Sequence, residues 1–149
     1  MRTETGILES RSRRGEIEAA ARPSRVLLAE DDNAFRHLIA GVLRRSGFEV
    51  VEARNGLEFM ETLVPIVPGP ADGMFIDLII SDVRMPCMTG LDVLDILRRA
   101  NFSTPVILIT AFGDDSTRSE ATRLGVRAMF DKPFDVSSLR TMAFHLTGN

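Results

Sequence analysis

Five short apolar runs alternate with five segments of helical spacing along the chain, and this alternation restricts the fold more than any other feature. The first run is RVLLAE, residues 25–30, and after it apolar residues recur at helical spacing until Gly47. Four more pairs follow: FEVVEA with GLEFMETLV, FIDLIIS with GLDVLDILRRA, PVILIT with DDSTRSEATRLG, and VRAMF with DVSSLRTMAFHL. Strands separated by helices of about 10 to 15 residues are typical of right-handed crossovers. The pattern therefore predicts an α/β, doubly wound (βα)5 sandwich with a parallel five-stranded sheet.

Two segments interrupt this pattern. Residues 1–23 mix arginines with glutamates and contain few large apolar side chains, so we expect a flexible N-terminal tail before a domain at 24–147. Residues 65–74, PIVPGPADGM, contain three prolines and two glycines and predict a surface loop. The second strand carries Glu49 and Glu52, which indicates an edge position in the sheet.

Charge and composition exclude several classes of protein. The net charge is −3, so no overall field attracts the chain to nucleic acid or to an anionic membrane. No stretch approaches the roughly 18 apolar residues of a membrane span, and no secretory signal is evident, so we expect a cytoplasmic protein. The single cysteine, Cys87, excludes an internal disulfide, and no Cys/His cluster indicates structural zinc.

Polar residues stand where four of the predicted strands end. The first strand ends in the acidic run 30–32, the third in Asp82, the fourth in Thr110, and the fifth in the run 131–133, which contains Lys132. The carboxyl ends of parallel strands meet at one edge of the sheet, where such folds bind ligands. Several carboxylates in one crevice repel one another unless a cation is present, and oxygen ligands favour Mg²⁺. We therefore expect an acidic metal site with Lys132 beside it.

This set of groups is typical of phosphoryl transfer. Asp82 can act as a nucleophile on phosphorus, while Mg²⁺ and Lys132 spread the charge of the phosphoryl oxygens. The Thr110 hydroxyl can donate a hydrogen bond to the same group.

Four motifs in order resemble the receiver domain of two-component response regulators, in the CheY-like superfamily. They are VLLAEDDNAFR, LIISDVRMPCMTGLDVL, PVILITA and MFDKPF, and the resemblance covers about residues 24–147. It implies a flavodoxin-like sheet with the strand order 2-1-3-4-5. It also implies that Asp82 is the phosphoacceptor, with Thr110 as the switch hydroxyl and Lys132 as the phosphate-binding lysine.

The resemblance further implies a set of metal ligands. Glu30 and Asp31 form the acidic pair around Mg²⁺, for which Mn²⁺ is an alternative, and Asp82 and the backbone carbonyl of Arg84 complete the set. Counting back from Arg36, as the family pattern does, leaves Asp32 as a helix cap or an outer group.

Two positions near the lysine concern the switch. The family has a cis peptide bond before the proline, here Lys132–Pro133. Three residues before the lysine, where the family usually has an aromatic side chain, this chain has Met129. The neighbouring Phe130 should point to the opposite face of the strand.

The resemblance implies a signalling domain, not an enzyme. A sensor histidine kinase or a histidine phosphotransfer protein would donate the phosphoryl group. The surface of the fourth helix, fifth strand and fifth helix would then bind a downstream protein or a second copy of the chain. Because the chain ends about sixteen residues after Pro133, we expect no attached output domain and no direct nucleic-acid binding.

Several other functions fit these residues less well than a receiver domain. A haloacid-dehalogenase-type phosphatase wants an acid at position 84, where Arg84 stands, and the acids after the first strand would repel a flavin phosphate. No G-x-x-x-x-G-K-[ST] run supports nucleotide hydrolysis. The alternative that stays open is a pseudo-receiver, a protein-binding module that works without phosphorylation.

Overall fold

Strands and helices alternate throughout the computed structural model, which describes residues 22–63, 75–111 and 113–148. The strands are β1 (Arg25–Ala29), β2 (Glu49–Ala53), β3 (Leu78–Asp82), β4 (Val106–Thr110) and β5 (Ala128–Asp131). The helices are α1 (Asn33–Arg45), α2 (Gly56–Leu63), α3 (Gly90–Arg99), α4 (Asp115–Arg123) and α5 (Val136–Thr147).

The five strands form one parallel sheet in the order β2-β1-β3-β4-β5, which confirms the predicted fold. The edge position of β2 is also as its glutamates indicated. In register, Ala29 pairs with Ser81, Asp82 with Ile109, and Thr110 with Asp131. The carboxyl ends of β1, β3, β4 and β5 therefore lie side by side.

Alternate residues of the strands pack into two separate hydrophobic cores, one on each face of the sheet. Leu27, Ile79 and Leu108 pack with residues of α2, α3 and α4 on one face of the sheet. Leu28, Ile80 and Ile109 pack with residues of α1 and α5 on the other face. The central strands β3 and β4 are buried at every residue, which explains the apolar runs at 78–80 and 106–109.

Short polar side chains fix where four of the helices begin. Asp32 caps α1, Asp114 caps α4 and Asp135 caps α5, each through a carboxylate that accepts a backbone N–H of the first turn. Thr89 caps α3 in a reciprocal capping box with Asp92. These caps set the point at which the chain turns from each strand end into the next helix.

The structure departs from the sequence expectation at the start of β3, which begins at Leu78 and not at Phe75. The Phe75 side chain is 46% exposed, so it is not a core strand residue. The Asp77 carboxylate instead accepts the Arg25 N–H at 2.8 Å and binds Arg22 at 3.2 Å. Arg22, the second-last residue of the predicted tail, also lies over the Phe75 ring at 5.4 Å from its centroid.

Two predicted segments lie outside the described residues: the tail up to residue 21 and the loop at 65–74. Among the helices that the structure describes, none has both the length and the apolar character needed to cross a bilayer.

Candidate functional site

Three carboxylates meet at the carboxyl edge of the sheet. Glu30 and Asp31 follow β1 directly, and Asp82 is the last residue of β3. One oxygen atom from each lies within 4.8 Å of the other two. Glu30 is fully buried and Asp82 is 5% exposed, whereas Asp31 is open to solvent. The cluster is thus a crevice with one exposed side.

Lys132 supplies a positive charge to this cluster. Its ammonium donates hydrogen bonds to Asp82 Oδ2 at 2.8 Å and to Glu30 Oε1 at 2.9 Å. The residue follows β5, where its backbone N–H donates to the Thr110 carbonyl at 2.8 Å, and the Lys132–Pro133 peptide bond is cis. Burial alone would lower the pKa of Lys132, but the hydrogen bonds to Asp82 and Glu30 outweigh it and leave the pKa raised. The lysine is therefore a permanent cation at the site.

The Glu30 carboxyl is the most perturbed acid of the cluster. Burial raises its pKa to about 8, the Asp82 carboxylate acts in the same direction, and Lys132 acts in the opposite one. Its Oε1 accepts from Lys132, but among the described residues its Oε2 has no hydrogen-bond partner. A buried carboxyl oxygen without a partner is costly, so a cation on that side would stabilise the ionised form of Glu30.

These donors fit a small divalent cation. One ammonium stands against three carboxylates, and hard oxygen ligands are those that Mg²⁺ and Mn²⁺ prefer. The Arg84 N–H donates to Asp82 Oδ1 at 3.2 Å, so the residue two positions after Asp82 also lies against the cluster. Asp32 does not join it, because its carboxylate accepts the Phe35 N–H at 3.0 Å as the cap of α1.

Thr110 and Met129 occupy the neighbouring strands. Thr110 is the last residue of β4, fully buried, and next in sequence to Ile109, the partner of Asp82 in the sheet. Met129 packs against the core on the α2, α3 and α4 face. Phe130 packs on the opposite face, as the alternation along a strand predicts, and its ring lies 5.4 Å from that of Phe134.

Arg36 has a structural role that was not predicted from the sequence. This residue is 4% exposed, and its guanidinium donates to the Glu30 backbone carbonyl at 2.9 Å and to Glu52 Oε1 at 3.1 Å. The signal was present in the helical spacing, since Arg36 stands on the same buried face of α1 as Ile39, Ala40 and Leu43. A charged residue on a core-facing helix position requires a buried partner.

Gly90 was also missed, and it allows the start of α3 to approach the site. Its N–H donates to the Val83 carbonyl at 2.9 Å. A Cβ atom at Gly90 would collide with the Asp82 carbonyl oxygen and would lie 2.8 Å from Ser81 Oγ. Any side chain here would push α3 away from the strand end that carries Asp82.

The chain is similar to known proteins in sequence and in fold. Residues 26–144 match the family model described as the response regulator receiver domain. Regulatory protein AtoC of Escherichia coli is 33% identical over 116 residues, which are 78% of this chain and 23% of AtoC. Sporulation initiation phosphotransferase F of Bacillus subtilis is 28% identical over 116 residues, which are 78% of this chain and 87% of that protein. The chain thus spans less than a quarter of AtoC and most of the phosphotransferase.

A solved structure shows the same architecture. Response regulator protein TrrA of Thermotoga maritima, in complex with Mg²⁺ and BeF, superposes with a TM-score of 0.68 at 26% identity. The superposition covers 83% of this chain and 98% of TrrA. With the family model, the strand order and the acidic strand ends in agreement, the chain belongs to the response regulator receiver domain family.

Proposed function

We propose that Asp82 accepts a phosphoryl group from a phosphohistidine of a sensor histidine kinase or a histidine phosphotransfer protein. The observation that carries this proposal is the position of the Asp82 carboxylate. It is buried at the end of β3, bound to the Lys132 ammonium at 2.8 Å, and grouped with the carboxylates of Glu30 and Asp31. Receiver domains are signalling domains, and we assign this role to residues 24–147.

In the proposed reaction, an Asp82 carboxylate oxygen attacks the phosphorus atom of the phosphohistidine. The new O–P bond forms as the P–N bond breaks, and the donor imidazole leaves with its electron pair. Lys132 then donates hydrogen bonds to the phosphoryl oxygens, and its charge offsets part of their negative charge. The hydroxyl of Thr110 donates a further hydrogen bond to the same group.

We propose that Glu30, Asp31, Asp82 and the backbone carbonyl of Arg84 hold Mg²⁺, with Mn²⁺ as the alternative. Two observations support this ligand set: the Oε2 of Glu30 has no hydrogen-bond partner within the described part of the chain, and carboxyl groups outnumber the one ammonium of the cluster. Receiver domains bind Mg²⁺ at an acidic site, and TrrA was solved with Mg²⁺ and BeF. The bound ion supplies positive charge that the phosphoryl oxygens need as charge develops on them.

The output surface in this proposal consists of α4, β5 and α5. Helix α4 has one buried residue, Ala121, so it is weakly anchored and suited to a change of position. Two residues would link the site to this surface. Thr110, at the end of β4, pairs with Asp131 of β5, and Met129 of β5 pairs with Leu108 of β4. The surface would bind a downstream protein or a second copy of the chain, without direct contact to nucleic acid.

Incubation with acetyl phosphate and Mg²⁺ tests the proposal. We expect intact-protein mass spectrometry to detect one added phosphoryl group and peptide mapping to place it on Asp82. Asp82→Asn should remove the label, and Asp95→Asn, at a partly buried position of α3 outside the acidic cluster, should keep it. A wild-type protein that takes no label from acetyl phosphate or from any phosphohistidine donor would favour the pseudo-receiver, a binding module that works without phosphorylation.

A further inference from the structure

We propose that Arg36 is a positioning residue for the metal site, which holds the backbone of Glu30 so that the Glu30 carboxylate is aimed at the acidic cluster. Glu52, on the edge strand, holds Arg36 in turn. This inference rests on the proposed function, because it assumes that the cluster binds a divalent cation.

The two arms of the Arg36 guanidinium reach different elements. Nη1 donates to the carbonyl of Glu30, directly after β1, at 2.9 Å, and Nε donates to Oε1 of Glu52, on β2, at 3.1 Å. The arginine side chain is 5% exposed and its contact with the Glu30 carbonyl is buried, whereas its contact with Glu52, whose side chain is 23% exposed, is partly buried. A planar fork with fixed donor directions can satisfy two such acceptors at once, which a lysine ammonium on a flexible stem does less well.

Both backbone polar groups of Glu30 are thereby fixed. Its N–H donates to the Ala53 carbonyl at 3.0 Å, and its carbonyl accepts from Arg36. With the backbone held at both ends, only the side-chain torsions of Glu30 are free, and the fully buried carboxylate has little room to use them. Without Arg36 the Glu30 carbonyl would lose this buried partner, and the peptide would be free to rotate.

Several basic side chains converge on Glu52. Besides Arg36, it binds Arg44 at 3.1 Å, and His37 Nε2 lies 3.8 Å from its Oε1. The carboxylate neutralises the buried guanidinium, so Arg36 needs no acid from the metal site. Arg36 contacts Glu30 at its backbone carbonyl and not at its carboxyl group, so we expect Arg36 to act by fixing geometry.

Titration with MgCl₂, followed by the backbone amide shifts of Asp82 and Arg84, measures the effect. We expect Arg36→Met to weaken Mg²⁺ binding by roughly tenfold or more, the range found for groups that orient metal ligands. The matched control is Arg44→Met, which also removes a partner of Glu52 but does not touch Glu30. It should keep the wild-type affinity within about twofold, as expected for an exposed substitution.

A second variant covers the case in which Arg36→Met does not fold. Arg36→Lys keeps a positive charge and most of the stem but replaces the fork by one ammonium, so we also expect a weaker affinity for Mg²⁺. Thermal unfolding without Mg²⁺ provides the second readout. A lower melting temperature with unchanged Mg²⁺ affinity in Arg36→Lys would show a purely structural arginine and overturn the inference.

The two proposals fail in different ways. If the wild-type protein shows no Mg²⁺-dependent shifts at these amides, the metal site of the proposed function is wrong. If the wild-type protein binds Mg²⁺ and the folded Arg36→Lys variant binds it equally well, only the role of Arg36 is wrong.

Discussion

At the scale of single residues, Glu30 is fully buried and its carboxyl group has a raised pKa. Its pKa is raised from 4.5 to about 8, first by burial and then by Asp82, while Lys132 partly compensates. The folded, metal-free protein therefore holds a proton on Glu30 at pH values where an unfolded chain releases it. In the proposed function, a metal ion bound at the cluster would replace this proton, so metal binding would be coupled to proton release.

This coupling predicts how stability changes with pH. Because the folded pKa lies above the unfolded one, the contribution of Glu30 is fully present below 4.5 and is lost as the pH rises through about 8. In EDTA we expect the melting temperature of the wild-type protein to fall across this window more steeply than that of Glu30→Gln. Differential scanning fluorimetry at matched ionic strength measures both. Parallel curves for the two proteins would contradict the raised pKa.

Two helical glycines, Gly90 and Gly41, have different surroundings. At Gly90 a side chain would meet the backbone of Asp82, which cannot move without displacing β3. At Gly41, inside α1, a Cβ would lie 3.2 Å from the Arg45 guanidinium, which is the end of a flexible side chain. The same substitution should therefore have opposite effects at these two sites.

Urea unfolding tests this contrast at the scale of elements. We expect Gly90→Ala to lower the free energy of unfolding by about 1–3 kcal/mol, because inserting an atom into a packed region forces backbone shifts. Gly41→Ala should raise it by about 0.5–1 kcal/mol, the gain of alanine over glycine in a helix. A neutral Gly90→Ala variant would mean that α3 can move outward without cost.

Arg118 links helix α4 to the end of β5, next to the site. Its guanidinium binds Asp131 Oδ2 at 2.6 Å, one residue before Lys132, and donates to the Gly113 carbonyl at 3.3 Å. The pair is about half exposed, so its contribution to global stability is small, about 0–1 kcal/mol. Its larger effect should be local, because α4 has few other anchors.

Hydrogen exchange resolves this local effect. In Arg118→Ala we expect faster amide exchange in α4 and at Gly113 than in the wild-type protein, with the rest of the sheet unchanged. Arg99→Ala, which removes an ion pair within α3, is the control and should leave α4 unaffected. Equal exchange of α4 in wild type and Arg118→Ala would show that the pair does not restrain the helix.

At the scale of the whole molecule, the site joins the ends of four strands, so a ligand there should stabilise the entire sheet. Beryllofluoride with Mg²⁺ mimics a phosphoryl group, and a ligand at roughly 100 times its Kd adds about 2.7 kcal/mol to the stability of the folded state. We expect a clear rise in melting temperature for the wild-type protein. The same mixture should leave Asp82→Asn near its value in Mg²⁺ alone, and equal shifts in both would place the ligand elsewhere.

Alternation of strands and helices was predictable from the sequence because each element carries its own period. The apolar runs of β3 and β4 indicate burial on both faces, and the spacing in α1 indicates one buried face. The bounds of β3 were less accurate, since Phe75 and Ile76 are apolar but precede the ladder. The apolar character of a residue does not show whether the neighbouring strand extends far enough to pair with it.

The sequence by itself determined the fold class, the order of the elements and the polar residues that follow the strands, since these depend on local periodicity and on the rules of parallel sheets. The sequence also predicted that Lys132 lies beside the acids, but only the tertiary structure decided which atoms contact one another. The hydrogen bonds of Lys132 to Glu30 and Asp82 span 102 and 50 residues, and the contact of Arg36 with Glu52 links a helix to the edge strand. Such contacts depend on side-chain directions and distances that are set when the sheet packs against its helices, and no local pattern encodes them.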